Sequence, residues 1–168
     1  MEHNETNQQT KQRIHWYERD VRNLRILKDF MSRYQISMKD LAEKTGMNRM
    51  SFTHMFIIDD ALLSSIDRIF KAYGCRLDIE FEHTDMELII HAPNLEKEIN
   101  ADAGRLLFIQ EEMRRRQINM VELSKKMGES PQQLFMHLKK GRCKMSYLYK
   151  IADTLGTKLI FTLRPLIQ

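Results

Sequence analysis

Between Ser130 and Lys144 the chain gathers side chains suited to recognition, not to covalent chemistry. Ser130-Pro131-Gln132-Gln133 reads as a helix start, with serine as the cap and proline at its favoured first position. A glutamine amide carries a donor and an acceptor side by side. Gln132 and Gln133 at such a start could therefore pair in bidentate fashion with an adenine edge, and Met136, one turn on, could touch a thymine methyl. Lys139, Lys140, Arg142 and Lys144 follow, and with the Ser130 end of the helix they could hold phosphate oxygens. Nowhere does a nucleophile–base constellation, a glycine-rich phosphate loop or a pair of carboxylates stand out, and no His/Cys/Asp/Glu set has ligand spacing. The expectation is no catalytic residue, no metal and no cofactor, hence not an enzyme.

The charge pattern agrees with a polyanion as partner. The 168 residues carry 27 basic and 23 acidic side chains, and the whole excess of +4 lies beyond residue 84. Within Ser124–Lys150, Lys125, Lys126, Lys139, Lys140, Arg142, Lys144 and Lys150 face Glu129 alone. Double-stranded DNA is the polyanion that these side chains suit best; RNA is a weaker fit. No apolar run approaches the ~18 residues of a membrane helix, and the polar start Met1–Thr10 lacks a signal-peptide core, so a cytoplasmic protein with no membrane partner is expected. Cys75 and Cys143 stand far apart and read as free thiols.

These residues belong to the second half of a repeat. Met31–Phe81 lies over Met113–Leu163 with a shift of 82 positions and no gap. The shift matches Met31, Arg33, Gln35, Ile36, Met38, Leu41, Lys44, Gly46, Ser64, Ile69, Gly74 and Leu77 with identical residues. A repeat of this length is one small helical domain used twice.

The elements that must position the site follow from periodicity and caps. Residues 1–10 are expected to be a disordered tail, and Ile14, Tyr17, Val21, Leu24, Leu27, Phe30 and Met31 form a helical stripe within Lys11–Tyr34. Ser37 caps Met38–Thr45, Gly46 turns, and Asn48 caps Arg49–Phe56, whose buried side is Phe52, Met55 and Phe56. Ser64 with Asp67 reads as a capping box for Ile66–Tyr73, and Gly74 ends that helix. Arg76–Glu82 alternates as a strand, and Met86–His91 reads as a second. The second copy runs Leu106–Arg116, Met120–Met127 capped by Asn119, Pro131–Lys140, Tyr147–Leu155 capped by Ser146, then a strand over Lys158–Leu163. The strands are few, and are expected to pair with one another or across a two-fold with another chain.

Both copies share helix, glycine turn, helix. The second reads Val121-Glu-Leu-Ser-Lys-Lys-Met-Gly-Glu-Ser-Pro-Gln-Gln-Leu-Phe-Met-His-Leu; the first reads Lys39-Asp-Leu-Ala-Glu-Lys-Thr-Gly-Met-Asn-Arg-Met-Ser-Phe-Thr-His-Met-Phe. A small residue in the first helix (Ala42, Ser124) precedes the glycine, a cap follows, and an apolar anchor comes next (Phe52, Leu134). On these residues, and on Ile151-Ala-Asp-Thr-Leu-Gly-Thr-Lys-Leu, each copy resembles the lambda-repressor/Cro-type helix-turn-helix family, in its strand-tailed subgroup common among antitoxin-like and phage or plasmid regulators. The resemblance implies a mainly α fold of two tandem helix-turn-helix domains, 11–92 and 104–168, each followed by a short strand or hairpin, with 93–103 as linker. It implies that the third helix of a copy enters the major groove.

The copies differ where contact would occur. Asp59-Asp60 stands where the second copy has Gly141-Arg142, which would set carboxylates against phosphates. Met55, Phe56, Ile57 and Ile58 replace His137, Leu138, Lys139 and Lys140, an apolar surface suggestive of a protein partner. Asn48, Arg49, Ser51 and His54 remain a second candidate DNA site. The expected function is a sequence-specific DNA-binding transcriptional regulator, in the first instance a repressor, with the second copy as main reader. The alternative is an antitoxin-like or phage-encoded factor whose first copy binds a protein. A single reading helix per chain would call for a homodimer.

Overall fold

The computed structural model describes residues 21–82, 106–139 and 143–166. Over these residues the protein is mainly helical, with one two-stranded antiparallel sheet. A 3-10 turn, Val21–Leu24, leads into α1, Arg25–Arg33. Then come α2, Met38–Thr45; α3, Arg49–Ile58; α4, Leu63–Ala72; and β1, Cys75–Phe81. The second copy supplies α5, Leu107–Arg115; α6, Met120–Met127; α7, Pro131–Lys139; α8, Met145–Leu155; and β2, Leu159–Pro165. The tail, most of the stripe from Ile14, the strand expected at Met86–His91 and the linker all lie outside the described residues.

Local chemistry repeats with the sequence. Ser37 and Asp40 cap α2 reciprocally: the Asp40 N–H donates to Ser37 Oγ at 3.2 Å, and the Ser37 N–H to Asp40 Oδ2 at 2.7 Å. Asn119 and Glu122 do the same for α6, both bonds at 2.9 Å. Ahead of each box stands a glutamine in the left-handed region, Gln35 at φ 54° and Gln117 at φ 55°. That conformation lets the next amide reach back over the helix end, Ile36 N–H to the Met31 carbonyl and Ile118 N–H to the Met113 carbonyl, both at 2.9 Å.

Two helix starts depart from the sequence expectation. α4 begins at Leu63 with Leu62 in the capping position and no side-chain cap; Ser64 is exposed and Asp67 buried. α8 begins at Met145 after Lys144, again without a side-chain cap of its own. Ser146 instead turns to the other copy: its N–H and hydroxyl both donate to the Asp60 carboxylate, at 3.1 and 2.6 Å. Tertiary pairing has displaced a local cap.

The strands pair within the chain, Cys75 opposite Pro165 through Phe81 opposite Leu159. Ile79 is thereby paired with Phe161, its own counterpart under the 82-residue shift. Leu62 forms an isolated bridge with Lys144, also its own counterpart. The bonds beside that bridge exchange likewise: Leu63 N–H donates to the Cys143 carbonyl at 2.8 Å, and Met145 N–H to the Ala61 carbonyl at 2.9 Å. A residue paired antiparallel with its own counterpart sits on a two-fold axis. Two such pairs fix one, so the copies are arranged like the protomers of a symmetric dimer joined by covalent linkage.

The core follows the same plan. Leu27, Leu41, Phe52, Ile66 and Ile69 fill one copy, Ile109, Leu123, Leu134, Leu148 and Ile151 the other, and they belong to a single apolar cluster. Phe81 of β1 crosses to Phe108 of α5, ring centroids 4.9 Å apart. On the other side the Arg22 guanidinium binds Asp153 at 2.6 Å and lies 4.9 Å from the centroid of the Tyr149 ring. Among the described residues no helix is long and apolar enough to cross a membrane.

Candidate nucleic-acid interface

α7 starts at Pro131 because proline lacks the N–H that a first helical residue leaves without an intrahelical partner. Ser130 Oγ accepts the Gln133 N–H at 3.2 Å, while Gln133 Oε1 accepts the Ser130 N–H at 3.0 Å and lies 3.2 Å from Ser130 Oγ. Gln133 is thus part of a capping box, its amide oxygen turned onto the helix start. Gln132 stands outside that box, exposed. Leu134 and Leu138 are buried and seat the helix, leaving Gln132, Phe135, Met136 and His137 on its outer side.

Glu129, the lone acid of the basic stretch, accepts the Tyr147 hydroxyl at 2.6 Å. Burial, and then this bond to Glu129, raise the Tyr147 pKa well above its ordinary value, so the ring stays a neutral donor. The Tyr147 ring also lies against His137, centroids 4.4 Å apart. Lys125, Lys126, Lys144 and Lys150 are exposed. Lys140 and Arg142, expected to hold phosphates, lie outside the described residues, and of Lys139 only the backbone is described.

The first copy presents a parallel face of different chemistry. Asn48 Oδ1 accepts the Met50 N–H at 2.8 Å and starts α3. Arg49, Met50, Ser51 and His54 are exposed, Met50 at 71%. Met50 is a member of this face that sequence reading passed over, although the repeat alignment sets it opposite Gln132.

Two expectations for the first copy are corrected. Asp59 and Asp60 are not turned towards phosphates. Asp59 is buried and accepts Lys28 Nζ at 2.6 Å, and Asp60 binds Ser146. Asp67 is buried as well, so of the four acids between Ala42 and Arg68 only Glu43 is exposed. Nor is Met55–Ile58 one apolar patch: Met55 is in the core, Phe56 packs against it, and only Ile57 and Ile58 reach solvent, at 47% and 43%. Helical periodicity divides four consecutive apolar residues between inside and outside.

Comparison with family models, with curated proteins and with solved structures finds no match to this chain.

Proposed function

We propose that the chain is a sequence-specific DNA-binding transcriptional regulator in which each copy is a lambda-repressor/Cro-type helix-turn-helix unit, α6–turn–α7 being the main reader. The observation that carries this reading is the outer face of α7: an exposed glutamine at the helix start, an exposed methionine one turn on, and Glu129, the one acid in a lysine-rich stretch of sequence, accepting a tyrosine hydroxyl. Covering a promoter would repress it sterically. The homodimer expected from sequence rested on one reading helix per chain and on strands in need of partners. The strands pair internally and both copies present an exposed third helix, so that argument no longer asks for a second chain.

Selection of bound fragments from random-sequence duplex DNA by the full chain tests the proposal. A defined consensus is expected, with affinity falling steeply as salt rises, because each phosphate contact releases condensed counterions. Enrichment of no sequence, or binding indifferent to salt, would remove the reading. A protein partner on the first copy is the second reading, favoured by the exposed Ile57 and Ile58.

A further inference from the structure

We infer that one chain reads a non-palindromic duplex site of two unlike half-sites, with α7 on one and α3 on the other. This rests on the DNA reading above and goes beyond it in stating what kind of site is bound and by how many chains.

The argument starts from the axis. Ile79–Phe161 and Leu62–Lys144 are self-counterpart pairs, so the two-fold passes through both. Leu62 closely follows the end of α3, and Lys144 closely follows the end of α7. Each third helix is therefore followed, a few residues on in sequence, by a residue at the axis, and the axis relates the two helices. Duplex DNA has the same symmetry in its backbone: its two strands are related by two-folds perpendicular to the helix axis. A two-fold pair of reading helices can face successive major grooves, which is why dimeric readers bind two half-sites about one helical turn apart. Here one chain supplies both helices.

The two faces then differ in what they can read. On the exposed face of α7 stand Gln132 and, one turn on, Met136, an amide for adenine and a thioether for a thymine methyl. Around the start of α3 stand Arg49, Met50, Ser51 and His54; an arginine pairs in bidentate fashion with the O6 and N7 of guanine. The acids that would have repelled DNA from the first copy are committed elsewhere, Asp59 to Lys28 and Asp60 to Ser146. A homodimeric reader can favour only a site with two equal halves. A chain with two unlike faces favours an asymmetric site and binds it in one orientation.

The test uses the full chain on a duplex selected from random sequence, with the mass of the complex measured by analytical ultracentrifugation. One chain per duplex is expected, with two dissimilar half-sites protected about 10 base pairs apart. Arg49→Ala is expected to relax preference roughly tenfold in one half-site only, and Gln132→Ala in the other only. The triple variant Met50→Gln, Ser51→Gln, His54→Met, made at exposed positions, is expected to shift the preferred sequence towards a palindrome of the α7 half-site. Two chains per duplex, a single protected half-site, or Arg49→Ala without effect on any base would overturn the inference and leave DNA reading standing. Failure to enrich any duplex would overturn both.

Discussion

The Asp60 carboxylate accepts the Ser146 hydroxyl at 2.6 Å and the Ser146 N–H at 3.1 Å, across 86 residues of sequence. It caps a helix of the other copy, since α8 has no side-chain cap of its own. The reciprocal bond cannot exist in that form, because the counterpart of Asp60 is Arg142, which has no acceptor. One of the ties between the copies is therefore one-sided. Asp60→Ala is expected to cost about 1 kcal/mol, the usual worth of an N-cap. Denaturant unfolding followed by circular dichroism measures it, and Ser146→Ala should cost less in the Asp60→Ala background than alone, because its hydroxyl has then already lost its acceptor. Full additivity would mean that the bond from the Ser146 hydroxyl contributes nothing.

How much of this was legible in the sequence depended on range. The boxes at Ser37 and Asn119, and the left-handed turns at Gly46 and Gly128, were readable because each is settled within four residues. The partner of β1 was not. Pairing among the three expected strands, or across a two-fold with another chain, was as far as the pattern reached; that β1 takes β2 goes with the burial of Leu77 and Phe81, which no local signal encodes. The direction of Asp59 and Asp60 was equally hidden, because a charge count carries no orientation. Lys28 and Ser146 decide it, and both are remote in the chain. For the candidate site, the face of α7 followed from periodicity, while the split roles of Gln132 and Gln133 appeared only with the capping geometry.

Glu112 replaces the Phe30 of the first copy. Phe30 packs edge-on against Phe70 and Tyr73, whereas Glu112, 1% exposed, accepts Arg115 at 2.9 and 3.0 Å and Arg116 at 2.5 Å. Burial opposes its charge, but the two guanidiniums outweigh burial and hold its pKa below the ordinary 4.5. The unfolded chain then binds the more protons below pH 4.5, so this group's stabilisation is present above 4.5 and lost as pH falls through the depressed folded value. Glu112→Gln is expected to cost about 2 kcal/mol at pH 7, short of the ~3–5 kcal/mol of a fully buried pair because solvent reaches both arginines. It should also flatten the acid-side slope of stability against pH. An unchanged slope would assign the acid sensitivity to other carboxylates.

Cys143 is fully buried, and burial, with the nearby Asp60 charge, pushes its thiol pKa up to about 12. A thiol in that state offers almost no thiolate at neutral pH. Cys75 is only half-buried. A maleimide is expected to label Cys75 in the native protein and Cys143 only after denaturation, as mass spectrometry of the peptides would show. Native labelling of both at equal rates would mean that the segment around Cys143 opens readily.

The last prediction separates two adjacent glutamines. Gln133 closes the capping box of α7, and Gln132 lies outside it on the exposed face. Gln133→Ala is therefore expected to lower stability by about 1 kcal/mol and to weaken binding to every sequence through the frayed helix start. Gln132→Ala is expected to leave unfolding unchanged and to relax preference at the contacted base by about 1–3 kcal/mol. Lys140→Ala, by contrast, should weaken all duplexes alike and reduce the salt slope by about one. Parallel thermal melts and binding to a set of single-base operator variants distinguish the three. If Gln132→Ala changed stability but not sequence preference, the head of α7 would be a structural feature, and the reader of this protein would have to be sought on another surface.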